Sequence, residues 1–233
     1  VQSFAPDNSQ RRFRIMASDY AASTLIPRLL HRIADQAPGI TLDIMTPSDV
    51  TFHEIEEGRV DLALNIFAEL PDSFHQKRIW QDEFVCLLHA GHPLLDDWQE
   101  ETYLQQEHVW VSKTGYGVGV GIELNELQKL GWVDRALANQ GARRAIRVFT
   151  RNYQVAINLA LETNLIATIP ARAAGLATQM PGAEFRRPPL AIAPIELMMV
   201  WSPLLHHDAA HIWLRQALLQ AAETVQPPPL LSR

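Results

Sequence analysis

Predicted strands and helices alternate along most of the chain, and this alternation constrains the fold more than any other feature. After the first predicted strand, apolar residues recur every three or four positions until Pro38 and Gly39, a pattern typical of a helix with one buried face. These residues are Leu25, Ile26, Leu29, Leu30, Ile33 and Ala37. Strands that alternate with helices of this length predict parallel sheets with right-handed crossovers.

The first half of the chain has the predicted order strand, helix, strand, helix, strand. Residues 13–17, 41–45 and 62–66 form the strands, and residues 50–57 form a short helix that ends at Gly58. Residues 84–88 form a further strand, and His92 leads out of this half because the residue before a proline favours extended backbone. Ligands bind such sheets at the carboxyl ends of the strands, so the turns after these strands are the candidate ligand-binding positions.

The second half repeats the pattern and ends in a helix. Strands are predicted over residues 109–111, 146–149, 165–169 and 195–201, and residues 181–194 are predicted to be irregular. A glycine-rich turn covers residues 115–121 and leads into a helix that ends at Gly131. Pro170 is predicted to open a helix as its first residue, and Asp208 to cap the last helix. The chain is therefore predicted to form two similar α/β lobes.

Composition narrows the class of protein. The 233 residues are 47% hydrophobic, which is enough for two packed cores of about 100 residues each. The formal net charge of −6 argues against DNA binding by this chain itself. No apolar run approaches the roughly 18–20 residues of a membrane span, and residues 1–12 hold no signal-peptide core. With Cys86 as the only cysteine, no internal disulfide can form, and we expect a cytoplasmic protein.

Two turns in the first half carry side chains that suit a small ligand. At the first turn, Ser18 and Asp19 precede a helix whose free N–H groups favour an anion, and Tyr20 offers an aromatic ring. Asp19 can equally be interpreted as a helix cap, and Tyr20 as a core residue. At the second turn, Thr46 and Pro47 lie between a strand and a helix, where the hydroxyl can orient a polar group.

Two further turns lie in the second half. One contains Lys113, Gly115 and Tyr116, where glycine allows close approach of the backbone to a ligand. The other contains Thr150, Arg151, Asn152 and Tyr153. Arg151 can hold a carboxylate through two hydrogen bonds, and Tyr153 can stack on an aromatic ring. The competing interpretation is a solvated arginine and a core tyrosine.

Other chemistries fit the sequence poorly. The glycine-rich turn lacks the third glycine of a dinucleotide-binding fingerprint, and no nucleophile elbow is present. His207 and His211 have the spacing of two metal ligands on one helical face, but no third ligand is evident, and both are interpreted as surface histidines. Arg143 and Arg144 are interpreted as solvated arginines. We therefore expect no enzymatic activity, no cofactor and no bound metal.

Several segments together resemble LysR-type transcription regulators. The resemblance spans nearly the whole chain, and its carriers are residues 13–15, 25–30, 37–40, 57–64 (including Glu57-Gly58-Arg59-Val60-Asp61), 85–88, 92–94 and 164–170. Residues 18–20, 107–109 and 213–216 are similar to the branch that contains nitroaromatic and salicylate sensors and nodulation regulators.

The resemblance implies an effector-binding domain with two Rossmann-like lobes joined by two crossover segments, like type 2 periplasmic binding proteins. Lobe I would comprise residues 13–92 and 197–226, and lobe II residues 93–196, with residues 1–12 and 227–233 as flexible ends. The segments near residues 88–93 and 195–201 would form the hinge. A complete member carries a winged helix-turn-helix domain ahead of Val1, which this chain does not include.

By this resemblance, a small effector, aromatic and acidic or phenolic, would bind between the lobes and control transcription. Its site would include the candidate residues of all four turns and also His207, because related sensors place a basic residue there. A homodimer or homotetramer would form through the helix over residues 24–37, and DNA would be bound only by the preceding domain. The alternatives are a solute-binding protein for transport and an enzyme of the same fold.

Overall fold

The computed structural model describes residues 4–111 and 131–230, which fall into two compact units. Unit 1 contains the chain up to Gln81 together with Glu196–Gln226, and unit 2 contains Asp82–Ile195 and the chain from Pro227. Each unit is built on its own five-stranded sheet with helices packed against it. The predicted α/β class with two Rossmann-like lobes is therefore confirmed.

Sheet 1, in unit 1, has the strand order β2-β1-β3-β10-β4. Strand β1 runs parallel to β2 and β3, whereas β10 runs antiparallel to β3. The strands are β1 (Arg12–Ala17), β2 (Thr41–Met45), β3 (Leu62–Asn65), β4 (His75–Asp82) and β10 (Ile195–Trp201); the helices are α1 (Asp19–Thr24), α2 (Ile26–Ile33), α3 (Phe52–Glu56) and α8 (Ala209–Ala222). Helix α3 ends as predicted, since Gly58 adopts a φ of 70° just beyond it.

Sheet 2, in unit 2, has the order β7-β6-β8-β5-β9. Strand β6 runs parallel to β7 and β8, and β5 runs antiparallel to β8 and β9. The strands are β5 (Phe84–His89), β6 (Glu107–Val111), β7 (Ala145–Thr150), β8 (Ile166–Pro170) and β9 (Ala183–Arg186); the helices are α4 (Glu100–Leu104), α5 (Trp132–Asn139), α6 (Tyr153–Glu162) and α7 (Ala171–Ala174).

The placement of strand β5 corrects the predicted boundary between the lobes. Residues 84–92 were assigned to lobe I, but β5 pairs with β8 and β9 in sheet 2, and the chain leaves unit 1 between Gln81 and Asp82. The return crossing lies between Ile195 and Glu196. A strand that is apolar from Phe84 to Leu88 fits the centre of either sheet, so its sequence does not determine its partner.

Two edge strands escaped prediction. Strand β4 ends sheet 1 and β9 ends sheet 2, and most side chains of β4 are exposed or half-buried. An edge strand is paired on one side only and can carry polar residues, so it lacks the apolar run that marks a central strand. The predicted first helix is also interrupted at Leu25, between α1 and α2, where Pro27 occupies the first turn of α2. Pro170 precedes α7 as its cap residue instead of being its first helical residue.

Residues 1–12 were predicted to be a flexible end, but Phe4 and Arg11 pack against other parts of unit 1. The Phe4 ring lies 5.4 Å from the Trp213 ring on α8, measured between centroids. The Arg11 guanidinium pairs with Asp208 at 2.8 Å and with Asp61 at 3.1 Å. One aromatic contact and two ion pairs therefore hold this polar segment against the rest of unit 1. Each of the three contacts joins residues that are far apart in the sequence.

Unit 2 contains a buried polar cluster around Tyr103. The Tyr103 hydroxyl lies 2.7 Å from the Thr168 hydroxyl, which also contacts the Cys86 thiol at 3.3 Å. Arg144 was predicted to be solvated, but its side chain is only 1% exposed and forms two hydrogen bonds of 2.9 Å with Asp134. Cys86 is buried as predicted, and burial raises the pKa of its thiol to about 12. None of the helices in the described residues is both long and apolar enough to cross a bilayer.

Candidate functional site

The carboxyl ends of the parallel strands in unit 1 bring together most of the residues predicted there. Met16 of β1 lies opposite Met45 of β2, so the turns that follow these two strands are neighbours at one edge of sheet 1. Ser18 begins the first turn and caps α1, because its hydroxyl accepts a hydrogen bond from the Ala21 N–H at 3.3 Å. Asp19 follows as the first helical residue and is half-buried, so the cap is Ser18 and not Asp19.

Tyr20 lies below this edge. Its side chain is buried, and its hydroxyl accepts a hydrogen bond from the Trp80 indole N–H at 2.8 Å. The two rings meet edge to face at 6.1 Å. Tyr20 therefore connects the start of α1 to Trp80 on β4, the edge strand that was not predicted from the sequence.

The second turn is held by its own hydroxyl groups. Thr46 is exposed and donates to the Asp49 carboxylate at 2.7 Å, and its oxygen lies 2.8 Å from the Ser48 hydroxyl. Pro47 is buried beneath it. Asn65, at the carboxyl end of β3, shares this edge but was not among the predicted residues. Asn65 could have been predicted as a site residue, because it is a polar residue within the apolar run over residues 62–66.

In unit 2, the carboxyl edge of sheet 2 contains the ends of β7 and β8 and the start of β5. The Thr150 hydroxyl accepts a hydrogen bond from the Asn152 N–H at 3.1 Å, which fixes the turn into α6. Arg151 and Asn152 are exposed in this turn, and Tyr153 is buried as the first residue of α6. Arg151 thus lies beside a helix N-terminus, where backbone N–H groups also favour an anion.

A second cation lies at this edge but is already neutralised. The buried Asp82 carboxylate accepts hydrogen bonds from the Arg172 backbone N–H at 2.9 Å and from its guanidinium at 3.1 Å. Phe84 pairs with Pro170, so Asp82 and Arg172 lie where β5 begins and β8 ends. The sequence does not reveal this pair, because its two members are 90 residues apart. Arg151 is consequently the cation better able to receive an anionic ligand.

His207 is not part of either group. Strand β10 runs antiparallel to β3, so the connection that follows it reaches the amino-terminal edge of sheet 1, opposite to Asp19 and Thr46. The structure therefore does not place His207 beside Asp19 and Thr46, with which the family resemblance had grouped it. His211 was expected at the surface but is fully buried.

The remaining predictions concern metals and the residues that follow Val111. Within residues 4–111 and 131–230, no group of three or more His, Cys, Asp or Glu side chains is arranged to hold a metal ion. Lys113, Gly115 and Tyr116 lie outside the described residues, so their predicted role stays a prediction.

Comparison with known proteins identifies relatives along nearly the whole chain. The model of the family described as "LysR substrate binding domain" matches residues 6–223. The transcriptional activator NahR of Pseudomonas putida is 29% identical over 219 residues, which cover 93% of this chain and 69% of that protein.

Solved structures show the same fold. A probable transcriptional regulator from Pseudomonas aeruginosa superposes with a TM-score of 0.76 at 29% identity, over 93% of this chain and 70% of that one. The BenM effector-binding domain with its effector benzoate superposes with a TM-score of 0.67 at 15% identity, over 95% of this chain and 98% of that domain. At this lower identity the likeness concerns the fold alone.

Proposed function

Because the chain belongs to the LysR substrate-binding domain family, we propose that it is the ligand-sensing part of a bacterial transcription regulator. The matched relatives are named as transcription regulators, which favours this role over solute transport and over catalysis. We expect a bound effector to be released unchanged. A regulator of transcription acts where the chromosome is, so we place the protein in the cytoplasm. DNA would be bound by a preceding domain, in agreement with the net charge of −6 of this chain.

The exposed Arg151, next to the start of α6, is the observation that carries the choice of ligand. It combines a guanidinium that can bind a carboxylate through two hydrogen bonds with the N-terminus of a ten-residue helix, whose dipole favours an anion. Arg172 is less suited to bind a carboxylate ligand, because its guanidinium is already paired with Asp82. We therefore propose a small organic acid as the effector, and an aromatic carboxylate as its first representative. Its placement between the two units stays a prediction.

Arg151→Met is expected to weaken the binding of such an effector by about tenfold to a hundredfold, the value of one charge-assisted contact. Isothermal titration calorimetry with benzoate and a panel of other aromatic carboxylates measures this loss. Arg147→Met is the matched control, because Arg147 is an exposed cation on β7, four residues before Arg151, which lies in the turn after that strand. Equal affinity of the two variants for every binding acid would refute the proposed site.

We also propose that the chain assembles as a homodimer, and that the full-length regulator assembles as a homodimer or homotetramer. Large apolar side chains are exposed on an edge strand and on a helix in each unit. In unit 1 these are Ile44 on β2 and Leu30 on α2, and in unit 2 they are Phe149 on β7 and Val155 on α6. Exposed apolar side chains favour association, and the exposed edges of β2 and β7 could each pair with another chain.

Leu30→Glu and Phe149→Glu are each expected to shift the protein from dimer to monomer at micromolar concentration, since each places a charge in the proposed interface. Sedimentation velocity measures the change. Leu204→Glu serves as the control, because Leu204 is the most exposed of the large apolar side chains in the described residues but lies after β10, away from β2 and α2. A dimer that survives both substitutions would contradict this interface.

A further inference from the structure

The amino-terminal edge of sheet 1 carries a group of aromatic and basic side chains that the proposed sensing role does not use. It lies where β10 ends and α8 begins, and it includes side chains from β4. We call it the histidine cluster, and its members are His75, Trp201, His206, His207, His211 and Arg215.

His211 is held in its neutral form by its two neighbours. Its Nε2 atom lies 2.7 Å from the backbone carbonyl oxygen of Asp61, and a carbonyl can only accept, so Nε2 carries the proton. Its Nδ1 atom faces the Arg215 guanidinium, which can only donate. Nδ1 is therefore the acceptor and carries no proton. A second proton on this buried ring would set two donors against each other.

His206 is held in the same way by a different donor. The Trp201 indole N–H donates to His206 Nδ1 at 3.3 Å, and an indole has no acceptor to offer in return. The His206 ring also stacks on the His75 ring at 3.9 Å between centroids, and it meets the His207 ring edge to face at 4.7 Å. Protonation of His206 would break the bond to Trp201 and place a charge among other imidazoles.

The charged groups around the cluster give a protonated histidine little compensation. The Arg215 guanidinium lies over the Trp201 ring at 4.6 Å and donates to the His206 carbonyl at 3.0 Å. Among the described residues, the carboxylates of Asp61, just before β3, and Asp208, at the start of α8, face the cluster. Both are already paired with Arg11.

The direction of both pKa shifts agrees with this geometry. Burial lowers the pKa of His211 and Arg215 lowers it further, against the opposing effect of the Asp61 carbonyl. Desolvation lowers the pKa of His206, and the neighbouring His75, His207 and Arg215 act in the same direction. Both rings therefore favour the neutral form more strongly in the folded protein than in the unfolded chain.

We propose that His206 and His211 form an acid-sensitive latch that fastens the connection between β10 and α8 to β3 and β4. His211 joins α8 to the residue before β3, and His206 joins the connection to His75 on β4. The unfolded chain, whose histidines titrate near 6.5, binds protons more readily than the latch does. The latch is thus fully stabilising above about pH 6.5, and its contribution is lost as the pH falls toward the depressed values of the folded protein.

Nuclear magnetic resonance of the whole chain labelled with ¹⁵N-histidine tests the latch without any substitution. We expect His206 and His211 to titrate below about 6.5, with His211 in the form protonated on Nε2, and the Trp201 indole N–H resonance to move with the His206 titration. Titration of either ring at or above the ordinary value would overturn the proposal.

A pair of variants tests the same idea through stability. His206→Asn keeps an acceptor near the position of Nδ1 but cannot be protonated, so the difference in urea midpoint between about pH 7.5 and pH 5.5 should become smaller than in the original protein. His31→Asn is the control, because His31 is exposed on α2 and lies outside the cluster. An equal pH dependence in the two variants would also overturn the proposal.

Discussion

Replacing Arg144 by methionine is expected to lower the free energy of unfolding by about 3–5 kcal/mol, because it leaves the Asp134 carboxylate largely buried without its counter-charge. The Arg144 side chain is 1% exposed and that of Asp134 is 13% exposed, so water can replace little of the lost interaction. Burial alone would lower the pKa of Arg144, but the nearby Tyr103 and Asp134 raise it above its ordinary value. The guanidinium therefore stays charged in the interior. Urea unfolding followed by circular dichroism measures the loss.

Two companion variants separate the ion pair from general effects of substitution. Arg143→Met changes the exposed neighbour, and we expect it to alter stability by less than about 0.5 kcal/mol. Combining Arg144→Met with Asp134→Leu removes both charges and should recover part of the lost stability. An Arg144→Met protein as stable as the Arg143→Met protein would show that the buried pair contributes nothing.

Asp82→Ala is expected to cost about 2–4 kcal/mol of unfolding free energy, because two donors of Arg172 lose their acceptor in a buried place. The carboxylate is 2% exposed and the guanidinium 20%, so the backbone N–H of Arg172 and one guanidinium N–H would lose a charged partner. Thermal and urea unfolding both report the change.

The adjacent residue provides the control for this prediction. The Glu83 side chain is exposed, and its backbone carbonyl, which accepts from the Ala171 N–H at 2.7 Å, is kept in Glu83→Ala. We expect that variant to stay within about 0.5 kcal/mol of the original protein. Asp82→Asn, which keeps one acceptor oxygen, should lie between the two. Equal losses in Asp82→Ala and Glu83→Ala would remove the role assigned to the pair.

The candidate site was partly predictable because a parallel strand brings the residue after it to one edge of the sheet. Asp19, Thr46 and Arg151 were found by this rule alone, and the turn that carries each of them lies at the carboxyl edge of its own sheet. His207 was predicted from the family resemblance and not by this rule, and it lies at the opposite edge because β10 runs antiparallel to β3. Strand direction depends on pairing partners far away in the sequence, so no local pattern could have revealed it.

Local sequence determined most of the elements, and tertiary structure decided their partners. Helices and strands were predicted from apolar periodicity, from proline and glycine stops, and from cap residues such as Asp208. Each of these signals depends on neighbours within a few positions, so the sequence alone was enough to recognise it. The assignment of β5 to sheet 2, the burial of Arg144 against Asp134 and the pairing of Asp82 with Arg172 each depend on residues from other parts of the chain. The physical reason is that burial and charge pairing are properties of the three-dimensional neighbourhood, and the same arginine is solvated or buried according to what the fold places beside it.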